Sequence, residues 1–183
     1  MIVCKECGTQ NDDDDLFCGG CPAFLEHSGE RIDDGVQEAW RIARRGAQLV
    51  EALQKAGHDV TVFDAVEADP SRETLMKAVE VGREARVTGV IGFGGGSSQD
   101  VAKLVALLLG SDEDLDDAWG VAQAKGPRLP LVLVPTTAGT GSEVTPVSII
   151  TVGAEEKRGV SSPVILPDIA MDGRAADPAG RLK

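Results

Sequence analysis

Cysteine is absent after residue 21 of this 183-residue chain, histidine occurs only twice, and no apolar stretch approaches the ~20 residues that span a bilayer. The N-terminus carries no signal-peptide hydrophobic region. Neither a membrane-spanning protein nor a disulfide-stapled secreted one is expected, and a soluble cytoplasmic protein is the default reading. Positive charge is scarce as well: the formal net charge is −12 and the sequence pI about 4.5. That balance argues against a nucleic-acid or anionic-membrane partner. Acid is densest in "NDDDDL" (11–16) and "SDEDLDD" (111–117), which read as solvated loop surface. The length suffices for one sizeable core and a small appended module.

The four cysteines form that module. Cys4, Cys7, Cys18 and Cys21 stand as Cys-x2-Cys-x10-Cys-x2-Cys. Two residues between thiolates let a tight turn present both sulfurs to one ion, and two such turns complete a tetrahedron. So short a segment buries too little apolar surface to fold alone, and a bound metal would supply folding energy on the order of 10 kcal/mol. A redox dithiol or an iron centre would use the same residues; structural zinc is the favoured reading. The stretch resembles the small zinc ribbons at the N-termini of many bacterial proteins. Lys5 is the only Lys or Arg among the first thirty residues, so protein contact or pure structure is expected of it rather than nucleic-acid binding. His27 reads as a surface residue and His58 as structural. Residues 1–30 are taken as the ribbon and 31–183 as a second domain.

In that domain helical and strand patterns alternate. Apolar spacing predicts helices over 36–56, 71–85 (capped by Ser71) and 98–109, with strands over 59–63, 87–93 and 129–134. Such alternation indicates βαβ units and a Rossmann-like, doubly wound parallel sheet. Ligands of these sheets sit beyond the carboxyl ends of the strands. Both "GGGSS" and "PTTAGTGSE" fall there, each after an apolar strand. Gly94, Gly95 and Gly96 precede a helix N-terminus, whose free N–H groups attract an anion, and Ser97 adds a hydroxyl. The spacing fits neither the Gly-x-x-x-x-Gly-Lys-Ser/Thr nor the Gly-x-Gly-x-x-Gly phosphate fingerprint. Asp100 would repel phosphate if it pointed inward, so it caps the helix or bonds a neutral part of a ligand. In the second stretch Thr136, Thr137, Thr140 and Ser142 alternate with glycine to give a concave donor surface. A close-packed turn and a self-satisfied polar Ω-loop are the competing structural readings.

"GGGSSQDVAK", "LPLVLVPTTAGTGSEVTPVSIIT" and "SSPVILPDIAMD" resemble, in order, signatures of the iron-containing alcohol dehydrogenase family, over about Leu49 to Asp172. The resemblance implies a nucleotide-binding α/β domain followed by a helical domain whose Asp and His side chains hold iron or zinc. It implies NAD(P)-linked interconversion of a small alcohol and its carbonyl partner, the metal polarising the substrate oxygen. By motif, Gly95, Gly96 and Ser97 would hold the pyrophosphate and Asp100 would lie near the nicotinamide end. Thr136, Thr137, Thr140 and Ser142 would line the cofactor cleft, and Lys157 would approach the ribose or phosphate; a plain charged hairpin residue is the other reading of Lys157.

Two features depart from the family pattern. A ribbon and a helix stand where the family has its adenosine-binding strand and turn, which leaves NAD against NADP open. His27 and His58 both lie upstream of the "PDIAMD" strand, where the family draws its metal ligands from downstream, and Gly173 replaces the usual proline. The partial domain is therefore expected to bind no catalytic iron or zinc, to be inactive alone, and to expose an apolar face prone to self-association. A non-catalytic zinc-ribbon protein whose α/β body binds a nucleotide or a protein, or a fused or truncated reading frame, are the alternatives.

Overall fold

The computed structural model describes residues 2–4, 6–12, 15, 17–21, 29–31, 34–137, 139–153 and 156–171. His27, Asp172 and Gly173 lie outside them. The chain divides into two compact units, Met1–His58 and Asp59–Lys183. This division and the boundary expected at residue 30/31 differ by one helix.

The first unit holds a three-stranded antiparallel sheet in the order β2-β1-β3, formed by β1 (Ile2–Cys4), β2 (Gln10–Asn11) and β3 (Gly29–Arg31). Helix α1 (Asp34–Lys55) follows and ends in a turn, with Gly57 at φ +89°. Its length and ending match the periodicity of the sequence and the glycine stop.

The second unit opens on residues 59–70, predicted in part as a strand. Residues 59–63 pair with no described strand; by backbone the segment meets β7 only at its end, where the Pro70 carbonyl accepts the Thr151 N–H at 2.9 Å. Val62 is exposed, and Phe63 and Val66 alone lean on the core. A strand needs a ladder partner as well as β-branched residues, and none lies alongside. Helix α2 (Arg72–Glu84) starts where expected, the Ser71 hydroxyl accepting the Thr74 N–H at 3.1 Å. The Glu67 carboxylate accepts the Ser71 N–H and the Thr74 hydroxyl, which hold its pKa down to about 2.

Strand β4 (Val90–Gly94) leads into helix α3 (Gly96–Gly110), then α4 (Leu115–Ala118), β5 (Gly120–Val121) and β6 (Leu131–Pro135). A hairpin of β7 (Val147–Val152) and β8 (Glu156–Ser161) precedes β9 (Ile169–Ala170). Strands β4, β6 and β9 form an all-parallel sheet in the order β4-β6-β9, and β5, β8 and β7 form a second, mixed sheet. The parallel α/β architecture expected from the alternating patterns is present.

Helix α3 is the centre of this unit. Every residue from Val101 to Leu108 is buried, so its apolar character runs all the way round, as an interior helix requires. One face packs Ala102 and Ala106 on Leu131 and Leu133 of the parallel sheet. The remaining surface meets Leu75, Ala78 and Val79 of α2 and Ile150 of β7. Gly92 permits the closeness of helix and sheet: a Cβ there would stand 2.7 Å from that of Ala102.

Strand β9 is fastened by Arg128. Its guanidinium donates to both oxygens of Asp168, at 2.7 and 3.0 Å, and to the carbonyls of Leu129, Val164 and Leu166. Asp168 also accepts the Leu131 N–H at 2.7 Å. The Arg128 hydrogen bonds first, and the Leu131 N–H second, lower the Asp168 pKa to about 2. The aspartate of "LPDIA" thus has a structural task.

Arg128→Met is expected to cost about 2 kcal/mol of stability, since it strips charged hydrogen bonds from three carbonyls and a carboxylate. Asp168 and Glu67 have folded pKa values below their unfolded ones. Their stabilisation is therefore complete above about pH 4–5 and disappears as pH falls towards about 2. Urea denaturation at pH 7 and along an acid series should show the loss at neutral pH and a shallower acid limb in Arg128→Met.

Candidate functional site

The cleft of the second unit is built where strands end. Strand β4 delivers Gly94, at φ +147°, and the chain turns at once into α3. Strand β6 delivers Pro135 and runs into residues 136–145, with Gly139 and Gly141 also at positive φ. The two loops are joined at their roots: the Gly94 carbonyl accepts the Thr136 N–H at 3.0 Å and the Gln99 side-chain amide at 3.1 Å. Gly95 caps α3 without a side-chain hydrogen bond, leaving the first-turn N–H groups open at the positive end of the helix dipole. A Cβ on Gly95 would come within 3.3 Å of the Thr137 hydroxyl, and one on Gly96 within 3.3 Å of the Thr140 methyl. At both positions glycine lets the loop after β6 close onto the start of α3.

A cavity of about 370 Å³ opens beside it. Gly96, Ser97, Asp100, Thr140, Ser142 and Lys157 line it, so six of the nine cofactor-site residues expected from sequence share one wall. Gly95, Thr136 and Thr137 are not part of the lining. Asp69, Pro70, Thr145, Val147, Ile149 and Thr151 complete the lining and were not anticipated. The Asp-Pro dipeptide was a legible turn signal; β7 was not, because its partner β8 reads as charged.

Lys157 belongs to the hairpin and also reaches the cleft, where its ammonium bonds Asp69 at 2.5 Å. Asp69 adopts φ +53° to present its carboxylate. Asp100 faces the cleft with both oxygens engaged: Oδ1 accepts the Ser142 hydroxyl at 2.7 Å and Oδ2 the Ile149 N–H at 3.1 Å. Its backbone carbonyl accepts the Ser148 hydroxyl. Asp100 therefore ties the start of α3 to β7 and to the 3-10 turn Ser142–Val144.

Sequence reading missed Lys103. It is fully buried, donates to the Ser142 hydroxyl at 2.9 Å and the Val147 carbonyl at 2.7 Å, and stands 3.6 Å from Asp100. Burial lowers its pKa, partly offset by the attraction of Asp100. The signal was a lysine three positions after an aspartate, on a helix otherwise apolar on every side.

The first unit gathers the four cysteines. Their sulfurs lie within 4.8 Å of one another, Cys4 and Cys18 buried, Cys21 half-buried and Cys7 exposed. Cys4 and Cys21 are 3.6 Å apart, and Cys7 and Cys18 3.5 Å. These separations exceed a disulfide bond and approach the edge, about 3.8 Å, of a tetrahedron of sulfurs around zinc. Burial works to raise the Cys18 thiol pKa, but the Gly20 N–H and the neighbouring sulfurs outweigh it and bring the value to about 6. The cluster can hold a metal. Among the described residues it is the one group of three or more metal-binding side chains with that geometry.

The sequence profile of the iron-containing alcohol dehydrogenases matches residues 37–172. The chain belongs to this family. The match begins inside α1, so most of the helix read as replacing the family's opening is part of the family segment. The NAD-dependent methanol dehydrogenase of Bacillus methanolicus is 34% identical over 131 residues, covering 72% of this chain and 34% of its own. Among solved structures, the alcohol dehydrogenase of Oenococcus oeni aligns with a TM-score of 0.65 at 31% identity, over 68% of this chain and 33% of that one. The sulfoacetaldehyde reductase of Bifidobacterium kashiwanohense, solved with NAD+, aligns with a TM-score of 0.57 at 32% identity, over 68% and 35%. The chain spans about a third of the length of the curated relatives it matches.

Asp100→Ala should destabilise the second unit by about 3 kcal/mol, because it leaves the Lys103 ammonium buried without its counter-charge. Thermal or urea unfolding of the two proteins at pH 7 measures the difference.

Proposed function

We propose that residues 59–171 form the dinucleotide-binding part of an NAD(P)-linked oxidoreductase that interconverts a small alcohol and its aldehyde or ketone. The observation that carries this reading is the junction of two glycine- and hydroxyl-rich loops at the ends of parallel strands β4 and β6, opening on an uncapped helix N-terminus. Open first-turn N–H groups and Ser97 suit a pyrophosphate, and Gly95 and Gly96 let it come close. Thr140 and Ser142 offer oxygen atoms to a ribose or a carboxamide. Asp100 keeps a negative charge beyond the pyrophosphate, where a neutral or cationic part of the cofactor is preferred. Thr136 and Thr137 stand at the root of the loop, the Thr136 N–H on the Gly94 carbonyl, and Lys157, held by Asp69, borders the cleft. When bound, NAD or NADP supplies the hydride acceptor or donor.

Among the described residues none fits the family's catalytic iron. Asp100 is fully engaged by Ser142 and Ile149, and the exposed Asp69 is paired with Lys157. Four cysteine ligands would leave a metal no open position for a substrate oxygen. We therefore propose that these 183 residues bind dinucleotide without turning over an alcohol by themselves. The cysteine cluster is proposed as a structural zinc site, the metal holding residues 1–30 as a ribbon; its sulfur separations support this. No described helix is long and apolar enough to cross a membrane. A cytoplasmic protein with a dinucleotide and a small alcohol or carbonyl compound as partners, and no nucleic-acid or membrane partner, completes the proposal. An exposed apolar face would favour self-association.

Calorimetry of the purified chain should show NAD+ or NADP+ binding, and Gly96→Val, which fills the cradle, should weaken it more than tenfold while leaving the circular dichroism unchanged. Elemental analysis should find one zinc per chain, lost on Cys18→Ser. With Fe²⁺ or Zn²⁺ added, simple alcohols should give no NAD(P)H; robust turnover would refute the proposed inactivity.

A further inference from the structure

Lys103 lies outside the wall of the cleft yet touches what builds it. Its ammonium has three protons and no lone pair, so it can only donate. Because Nζ donates to the Ser142 oxygen, the single proton of Ser142 must point elsewhere, and it goes to Asp100 Oδ1 at 2.7 Å. A second donation reaches the Val147 carbonyl at the start of β7. The remaining Asp100 oxygen takes the Ile149 N–H on the same strand. One buried charge thus sets the direction of a chain of hydrogen bonds joining α3, the turn Ser142–Val144 and β7. A neutral amine could accept from Ser142 instead, and that direction would no longer be fixed.

Resting on the dinucleotide reading above, we infer that Lys103 is a positioning residue of the cleft: acting through Ser142 and Asp100, it holds the loop 136–145 at the spacing from the α3 N-terminus that a bound dinucleotide requires. It touches no ligand itself. The charged groups acting on it are Asp100, on its own helix, and Glu143, on the turn; β7 faces it with the Val147 carbonyl.

Proton linkage separates this role from simple support of the fold. Burial lowers the Lys103 pKa, so the unfolded chain holds the proton to higher pH than the folded one does. Through that interval Lys103 makes folding stability rise with pH. Dinucleotide affinity should move the opposite way, because the positioned cleft needs the ammonium.

The test is calorimetric titration of the full chain with NAD+ and NADP+ from pH 7 up to pH 10.5, the ordinary lysine value, beside Lys103→Met and Ser142→Ala. The unaltered chain should lose affinity several-fold as pH rises, while its urea midpoint does not fall. Lys103→Met should bind at least tenfold more weakly at pH 7, with no decline on raising the pH. Binding by Lys103→Met within twofold of the unaltered chain, or an unchanged alkaline decline in that variant, overturns the assignment. Should Lys103→Met fail to fold, Ser142→Ala decides: weaker binding with a flattened pH profile supports the assignment, and unchanged affinity and profile overturn it. Failure of the unaltered chain to bind either dinucleotide would instead overturn the cofactor reading on which the assignment rests.

Discussion

The second unit depends on the burial of helix α3. From Val101 to Leu108 it has no free face: the parallel sheet takes one side, α2 and β7 take the others, and the one charge inside, on Lys103, needs partners in place. The Lys103 ammonium meets that demand by bonding outward to Ser142 and Val147, with Asp100 as its counter-charge. Core and cleft are therefore not separable. The helix that fills the interior also points its uncapped N-terminus at the cavity, and the ion pair that makes its lysine tolerable shapes the cavity wall.

Two kinds of chemistry stand apart on this chain. What suits a dinucleotide is concentrated in the loops after β4 and β6: glycines where a Cβ would intrude, hydroxyls facing a cavity, open helix amides. What could hold a metal is in the other unit, as four cysteines whose separations suit a closed tetrahedral centre. The two devices answer different physical needs. A small three-stranded sheet with little core would gain stability from a bound metal, whereas the α/β unit is stabilised by its own packing.

Much of the fold was legible because its periodicity is strong. Helices α1, α2 and α3 and strands β4 and β6 stand within a few residues of their expected places, each marked by apolar spacing, with a Ser cap at α2 and a glycine stop at α1. Residues 59–63 were misread: "DVTVF" has strand composition, but pairing depends on a neighbour that local sequence cannot supply. The hairpin β7–β8 hid for the converse reason, since "EKRGVS" is polar on its exposed side and acquires order by pairing. In the site, glycine and hydroxyl patterns located Gly96, Ser97, Thr140 and Ser142, Asp100 was read from the first helical turn, and the family resemblance added Lys157. They could not show that Asp69, distant in sequence, would pair with Lys157, or that Lys103 would be turned inward.

Amide chemical-shift mapping by ¹H–¹⁵N NMR, on addition of NAD+ or NADP+ to the full chain, tests the dinucleotide cleft most directly. The proposed cleft predicts the largest shifts at Gly95, Gly96 and Ser97 and across Gly139–Ser142, with β9 and the cysteine cluster unmoved. Saturating shifts confined to other residues, or none at millimolar dinucleotide, would contradict it.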